Sequence, residues 1–178
     1  MLSRWVYILI GDNDTGKTTF QKEILNILCS EKRNKLNCNV IFPITYPHAK
    51  GKLENLFLMS RSYKEKEDLG DYKSVSDYFN NHFVKDSSND VIILSSRFNN
   101  SHLKLMIEEC HKRIYNVSGV FFSNSFNVNN SSVSLLNWDE RLWFENPIVV
   151  KNSNEWEKQI KNIAIEFVKM IVNRVDIQ

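Results

Sequence analysis

Residues 11–20 read GDNDTGKTTF. An apolar run, WVYILI (residues 5–10), precedes them, and QKEILNILC (residues 21–29) follows with helix-like spacing. Residues 11–18 satisfy G-x-x-x-x-G-K-[ST] in full, and the pattern lies where it has chemical meaning, after a strand-like run and at the start of a helix-like one. The amides of such a loop can wrap phosphate oxygens, and the amino end of the following helix adds a partial positive charge. Gly16 lets phosphate approach the backbone closely. Lys17 would reach the β- and γ-phosphates of a triphosphate, and the Thr18 hydroxyl would bind Mg²⁺. The reading assigns phosphate binding to Gly11, Asp12, Asn13, Asp14, Thr15, Gly16, Lys17, Thr18 and Thr19. Asp12 and Asp14 place two carboxylates in a loop meant for anions. They are expected on its solvated rim, or beside Mg²⁺ or an acceptor group.

Outward from the loop, strand-like and helix-like segments alternate. That pattern predicts an α/β fold, a three-layer sandwich around a mainly parallel five-stranded sheet. The strands are expected at residues 5–10, 38–42, 90–94, 118–124 and 147–151. Helices are expected at 18–30, 74–84 and 102–115 and from Asn154 onward, where Trp156, Ile160, Ile163, Phe167 and Ile171 share one stripe. Residues 52–68 read as a further helix, and residues 125–137 as polar and irregular. With no internal repeat and no second apolar unit, residues 1–178 are read as one domain.

The charge balance, 23 basic against 21 acidic residues, gives no reason to expect nucleic acid or an anionic membrane as the main partner. No apolar run approaches the ~20 residues of a membrane span. Residues 5–10 are too short for a secretory core, so no secretory segment is expected. Cys29, Cys38 and Cys110 match no metal spacing and are expected as reduced, partly buried thiols in a cytoplasmic protein. His48, His82, His102 and His111 also lack metal spacing and are expected in loop or surface roles. The sequence leaves a homodimer open.

What happens to a bound phosphate depends on the end of the third expected strand, where an acidic residue usually helps organise the metal. Here DVIILSSRF ends in Ser95, Ser96 and Arg97, and Asp90 comes too early to reach the site. A serine could hydrogen-bond a metal-bound water, more weakly than a carboxylate. The Asn-Lys-x-Asp pattern that selects guanine is absent from FFSNSFN after the fourth strand, which argues against a GTPase.

Residues 11–19 resemble the phosphate loops of P-loop nucleoside triphosphatases, and of thymidylate kinase and related nucleoside monophosphate kinases in particular. IFPITYPHAKGKLENLF (residues 41–57) is similar to the Phe-Pro stretch of those kinases. SSRF has their Arg and aromatic, with Ser96 in place of the acid, and IVVKNSNEWEKQIKNI is similar to their final strand and helix. The resemblance implies the P-loop fold and ATP-dependent, Mg²⁺-assisted transfer of a γ-phosphate to a small nucleotide-like acceptor. It implies Lys17 as a catalytic cation, Arg97 as the clamp on an acceptor phosphate and Arg141 as a lid residue. Residues 43–88 would form the acceptor side, with Tyr46, Phe57 and Tyr63 as candidates to stack on a base, though Phe57 is expected rather to pack in the core. Arg61 and Arg113 are read as solvated surface. The alternative is a nucleotide-binding regulatory ATPase or switch acting on a protein partner, which the serines at 95 and 96 favour.

Overall fold

The run of residues 5–10 forms strand β1 (Trp5–Ile10), and it is apolar throughout because both of its faces are covered. Tyr7 and Leu9 point into one core, and Val6, Ile8 and Ile10 into the other. The computed structural model describes residues 4–13, 15–83, 90–125, 128–148 and 153–176. After β1 come α1 (Lys17–Cys29), β2 (Val40–Pro43), β3 (Asn55–Ser62), α2 (Tyr63–Asp68), α3 (Val75–His82) and β4 (Val91–Ser96). Then follow α4 (Asn100–Lys112), β5 (Asn116–Phe122), α5 (Val128–Ser134), β6 (Glu140–Phe144) and α6 (Asn154–Asp176).

The strands form one six-stranded sheet in the order β2-β3-β4-β1-β5-β6. Every neighbouring pair is parallel except β2 with β3. Five strands therefore end at one edge of the sheet. There the loop leaves β1 between the ends of β4 and β5. Helices α1 and α6 pack on one face through Phe20, Ile24, Leu28, Ile160 and Phe167. Helices α3 and α4 pack on the other through Tyr78, Phe79, Leu103 and Met106. Burying one such side chain contributes about 1.5–3 kcal/mol. The fold is thus α/β with a mostly parallel sheet, as the alternation of segments predicts.

The sheet has six strands where five are expected, and two segments account for the difference. Residues 52–68 do not form one helix. Residues 55–62 are β3, and the helix begins only at Tyr63. Leu56, Phe57, Leu58 and Met59 are all buried, because β3 is covered on both faces, and such a run carries no period to separate strand from helix. The Lys- and Glu-rich residues after it biased the reading toward helix. The last strand is ERLWF (residues 140–144), not residues 147–151. Of the latter, 147–148 lie outside any strand and 149–151 lie outside the described residues.

The placement of residues 43–88 is also corrected. Pro43 pairs with Asn55 at the start of β3, and the amides of Thr45 and Tyr46 donate to the Leu28 carbonyl at the far end of α1. The Phe-Pro stretch and Tyr46 therefore lie at the edge opposite the phosphate loop. Asp90 is at that edge too, accepting hydrogen bonds from the Glu54 and Asn55 amides. From this segment, the end of β3 and helix α2 reach the loop's edge, and residues 84–88 lie outside the described residues.

Candidate functional site

Strand β1 delivers the chain to the loop, and β4 fixes its start: the Gly11 amide donates to the Ser96 carbonyl at 3.3 Å. Thr15 is buried, and its hydroxyl donates to the Asp12 carbonyl at 3.2 Å. Gly16 caps α1 at φ +96°, a left-handed conformation that favours glycine. A Cβ there would also lie 3.0 Å from Ile160 Cδ1 and 3.4 Å from the Trp156 ring on α6. Helix α1 has no side-chain cap and no acidic residue in its first turn. Its first amides thus keep their affinity for an external anion.

Lys17 bends back over the loop. Its Nζ donates to the carbonyls of Gly11 at 2.5 Å and Asp12 at 2.7 Å, and to Thr15 Oγ1 at 3.3 Å. The ammonium thus spans from the first turn of α1 to the opening residues of the loop. The side chains of Asp12, Asn13 and Thr18 are exposed and that of Thr19 is half-buried. For Asp12 this is the rim position; Asp14 lies outside the described residues.

On one flank stand the ends of β3 and β4. Ser95 and Ser96 are buried there, with no carboxylate in the strand end. Ser95 faces α1, where its hydroxyl accepts from Gln21 Nε2 at 3.3 Å. The Ser96 hydroxyl donates to the Arg97 carbonyl, and strand alternation turns Ser96 to the other face. The position that looks toward the turn carrying Thr18 is therefore Ser95, not Ser96. Gln21 is fully buried, donates also to the Met59 carbonyl at 3.0 Å, and keeps an unpartnered Oε1. Arg97, one residue past β4, donates through Nη2 to Glu65 on α2 at 3.1 Å.

On the other flank stand the ends of β5 and β6. Asn124 Nδ2 and Asn146 Nδ2 both donate to the Thr15 carbonyl, at 3.4 Å and 3.3 Å. Asn146 is fully buried; its Oδ1 accepts from Ser123 Oγ and from the Asn124 amide. Two loops far from Thr15 in sequence thereby hold one carbonyl of the β1–α1 loop. Glu65, Gln21, Asn124 and Asn146 were not singled out from sequence. Glu65 and Gln21 lie in helical patterns, and the asparagines lie among many others, so only the topology reveals them.

Several sequence expectations are corrected. Arg141 is on β6 opposite Gly119, and its guanidinium donates to the Ser134 and Leu136 carbonyls after α5. It closes that turn and is not brought to the phosphate loop. Tyr63 is a core residue packed against Tyr78, and Phe57 packs against Phe83 in the core as expected, so with Tyr46 none forms a base platform beside the loop. Arg113 is not solvated surface: its side chain is only 14 % exposed and pairs with Glu109. Burial pushes the Glu109 carboxyl up, but hydrogen bonds from Lys112, Arg113 and Ser76 outweigh it and hold it down at about 2. Arg61 is exposed, as expected. His82 is half-buried against Tyr72, and burial with the Lys66 charge lowers its pKa. His48 is exposed, and the three cysteines are free thiols, two of them buried.

Among the described residues, no group of three or more His, Cys, Asp or Glu could hold a metal ion. A metal at the loop would rest on hydroxyl oxygens such as Thr18 and on the ligand's own phosphates, hard donors of the kind Mg²⁺ takes. Among the described residues, no helix is long and apolar enough to cross a membrane. The chain matches no protein-family model, no curated protein and no solved structure.

Proposed function

We propose that the chain is a P-loop nucleoside-triphosphate-binding protein of the nucleotide kinase type, which passes the γ-phosphate of ATP to a small acceptor. The observation that carries this reading is the loop itself. An uncapped helix start, a left-handed Gly16 and a lysine bent across two loop carbonyls meet at the carboxyl edge of a parallel sheet, where open α/β sheets bind ligands. The loop amides and Lys17 would hold the β- and γ-phosphates. Thr18 would hold Mg²⁺, whose charge helps neutralise the transferring phosphoryl group. Arg97 stands on the β4 flank, where an acceptor would approach.

A second reading is a nucleotide-dependent switch or regulatory ATPase acting on a protein partner. The buried serines at 95 and 96, in place of a metal-organising acid, favour it. One assay separates the two: incubation with Mg²⁺-ATP and a panel of nucleosides and nucleoside monophosphates, scored for phosphorylated acceptor and for acceptor-free hydrolysis. A kinase phosphorylates one acceptor class well above its basal hydrolysis. A switch hydrolyses ATP slowly, and no small acceptor raises the rate.

A further inference from the structure

The β4 flank carries a carboxylate after all, supplied by the neighbouring element. Ser62 at the end of β3 pairs with Ser95, which brings the start of α2 beside the end of β4. Ser62 Oγ accepts from the Glu65 amide at 3.4 Å, fixing the first turn of α2. Glu65 Oε1 then lies 3.1 Å from Arg97 Nη2, with the two side chains 36 % and 38 % exposed. The next acid, Glu67, faces elsewhere: it takes Lys64 at 3.0 Å and lies 3.7 Å from His102 Nε2.

We propose that Glu65 is the general base of this site and that the acceptor is a small alcohol of the nucleoside type, not a phosphate; this rests on the phosphotransferase reading above. A phosphate acceptor is already an anion at neutral pH. It needs no base, and a carboxylate on its path repels it. A hydroxyl acceptor has the opposite needs: a base within reach and oriented. The contact from Arg97 Nη2 orients Glu65. Arg97 Nε is shielded from solvent and has no hydrogen-bond partner among the described residues.

In the reaction the acceptor oxygen forms a bond to the γ-phosphorus. The bond from that phosphorus to the β–γ bridging oxygen breaks, and its electron pair stays on the nucleoside diphosphate. The acceptor's proton passes to Glu65 and from there to water.

The test uses the full chain with Mg²⁺-ATP and matched pairs of nucleoside and nucleoside 5′-monophosphate. Nucleosides should be phosphorylated and monophosphates should not. Glu65→Gln keeps the volume and removes the base. It should lower kcat at least about 100-fold and leave ATP affinity unchanged. Added formate should restore part of the rate to Glu65→Ala. A preference for monophosphates overturns the hydroxyl acceptor and leaves the kinase reading standing. A folded Glu65→Gln as active as the parent overturns the base. Transfer to neither class, with ATP binding that depends on Lys17, overturns this proposal and the phosphotransferase reading together.

Discussion

The two flanks of the loop that joins β1 to α1 are built from opposite materials. On the β3–β4 side the polar groups nearest the loop's edge include the ion pair Arg97–Glu65, with each side chain more than a third exposed. On the β5–β6 side they are Ser123, Asn124 and Asn146, neutral groups hydrogen-bonded to one another and to Thr15. An exposed ion pair adds little to stability, about 0–1 kcal/mol, and its partners can change hands when a charged ligand arrives. A carboxamide network around the buried Asn146 is the reverse: it carries no charge to offer, and leaving its buried groups unmade is costly. The charged flank is therefore suited to act on a ligand, and the neutral flank to hold the loop still while it does.

The largest effect should come from the charged flank. Arg97→Ala removes a cation from the acceptor side without touching the loop. Phosphotransfer should fall about 10²–10³-fold, the usual cost of losing one transition-state donor, while ATP affinity stays near that of the parent. Steady-state kinetics beside calorimetric ATP titration check this. Equal losses in both quantities would mean that Arg97 supports the fold of the loop, and the contrast between the flanks would collapse.

The neutral flank should respond in stability rather than turnover. Asn146→Asp replaces a donating NH₂ with an oxygen beside the Thr15 carbonyl, inside a fully buried site. A charge buried against the Thr15 carbonyl should cost about 3 kcal/mol, read by urea denaturation at neutral pH. The sign with pH follows from burial, which raises the new carboxyl's pKa in the folded state. The loss should be full well above that raised value and shrink as pH falls toward about 4, where the protonated acid can again donate to Thr15. Neutral-pH stability equal to the parent's would show that these contacts do not hold the loop.

Between the flanks, Lys17→Ala removes the loop's own cation. Contacts of that kind are worth about 1.5–3 kcal/mol, so triphosphate affinity should drop at least about tenfold, with little change in folding. Unchanged affinity for both ATP and GTP would leave the loop without a phosphate role.

The same contrast explains what the sequence revealed. The loop was legible because its residues are contiguous and the phosphate contacts proposed for it fall mostly on backbone, Gly16 and Lys17. The central strands β1, β4 and β5 were legible as short apolar runs between punctuating residues. The strand at 55–62 was not, because its buried run at 56–59, covered on both faces, has no alternation, and the charged helix after it supplied a helical pattern. The flanks were legible only in part. Arg97 follows a recognisable strand end, but its partner Glu65 is 32 residues away. Asn146 is separated from Thr15 by 131 residues. Arg141 shows the converse error: an arginine in a polar stretch suits a lid until β6 pairs with β5 and commits its guanidinium to carbonyls.

The smallest effect, and the finest test of the comparison, is to add charge where the charged flank lacks it. Strand alternation turns Ser95 toward α1 and Ser96 away from it, so the two neighbouring serines are natural controls for each other. In Ser95→Asp the new carboxylate would accept from Gln21 Nε2 and face the turn that carries Thr18. It could then hydrogen-bond a water on Mg²⁺, which a carboxylate does more strongly than a hydroxyl. Mg²⁺-ATP binding should tighten about two- to fivefold, a gain of about 0.4–1 kcal/mol. Folding stability should fall, because the site is buried and the carboxylate loses solvation there. Ser96→Asp should bear the same folding cost with no gain in binding. The measurement is ATP affinity with and without Mg²⁺ for both variants, so that a metal-linked gain is separated from a general one. A gain confined to Ser95→Asp, and only with Mg²⁺ present, would make the β4 end a metal-facing position that this chain leaves uncharged. A gain in Ser96→Asp instead would mean that the metal approaches from the α3–α4 face, and the division of labour between the flanks would have to be redrawn around that face.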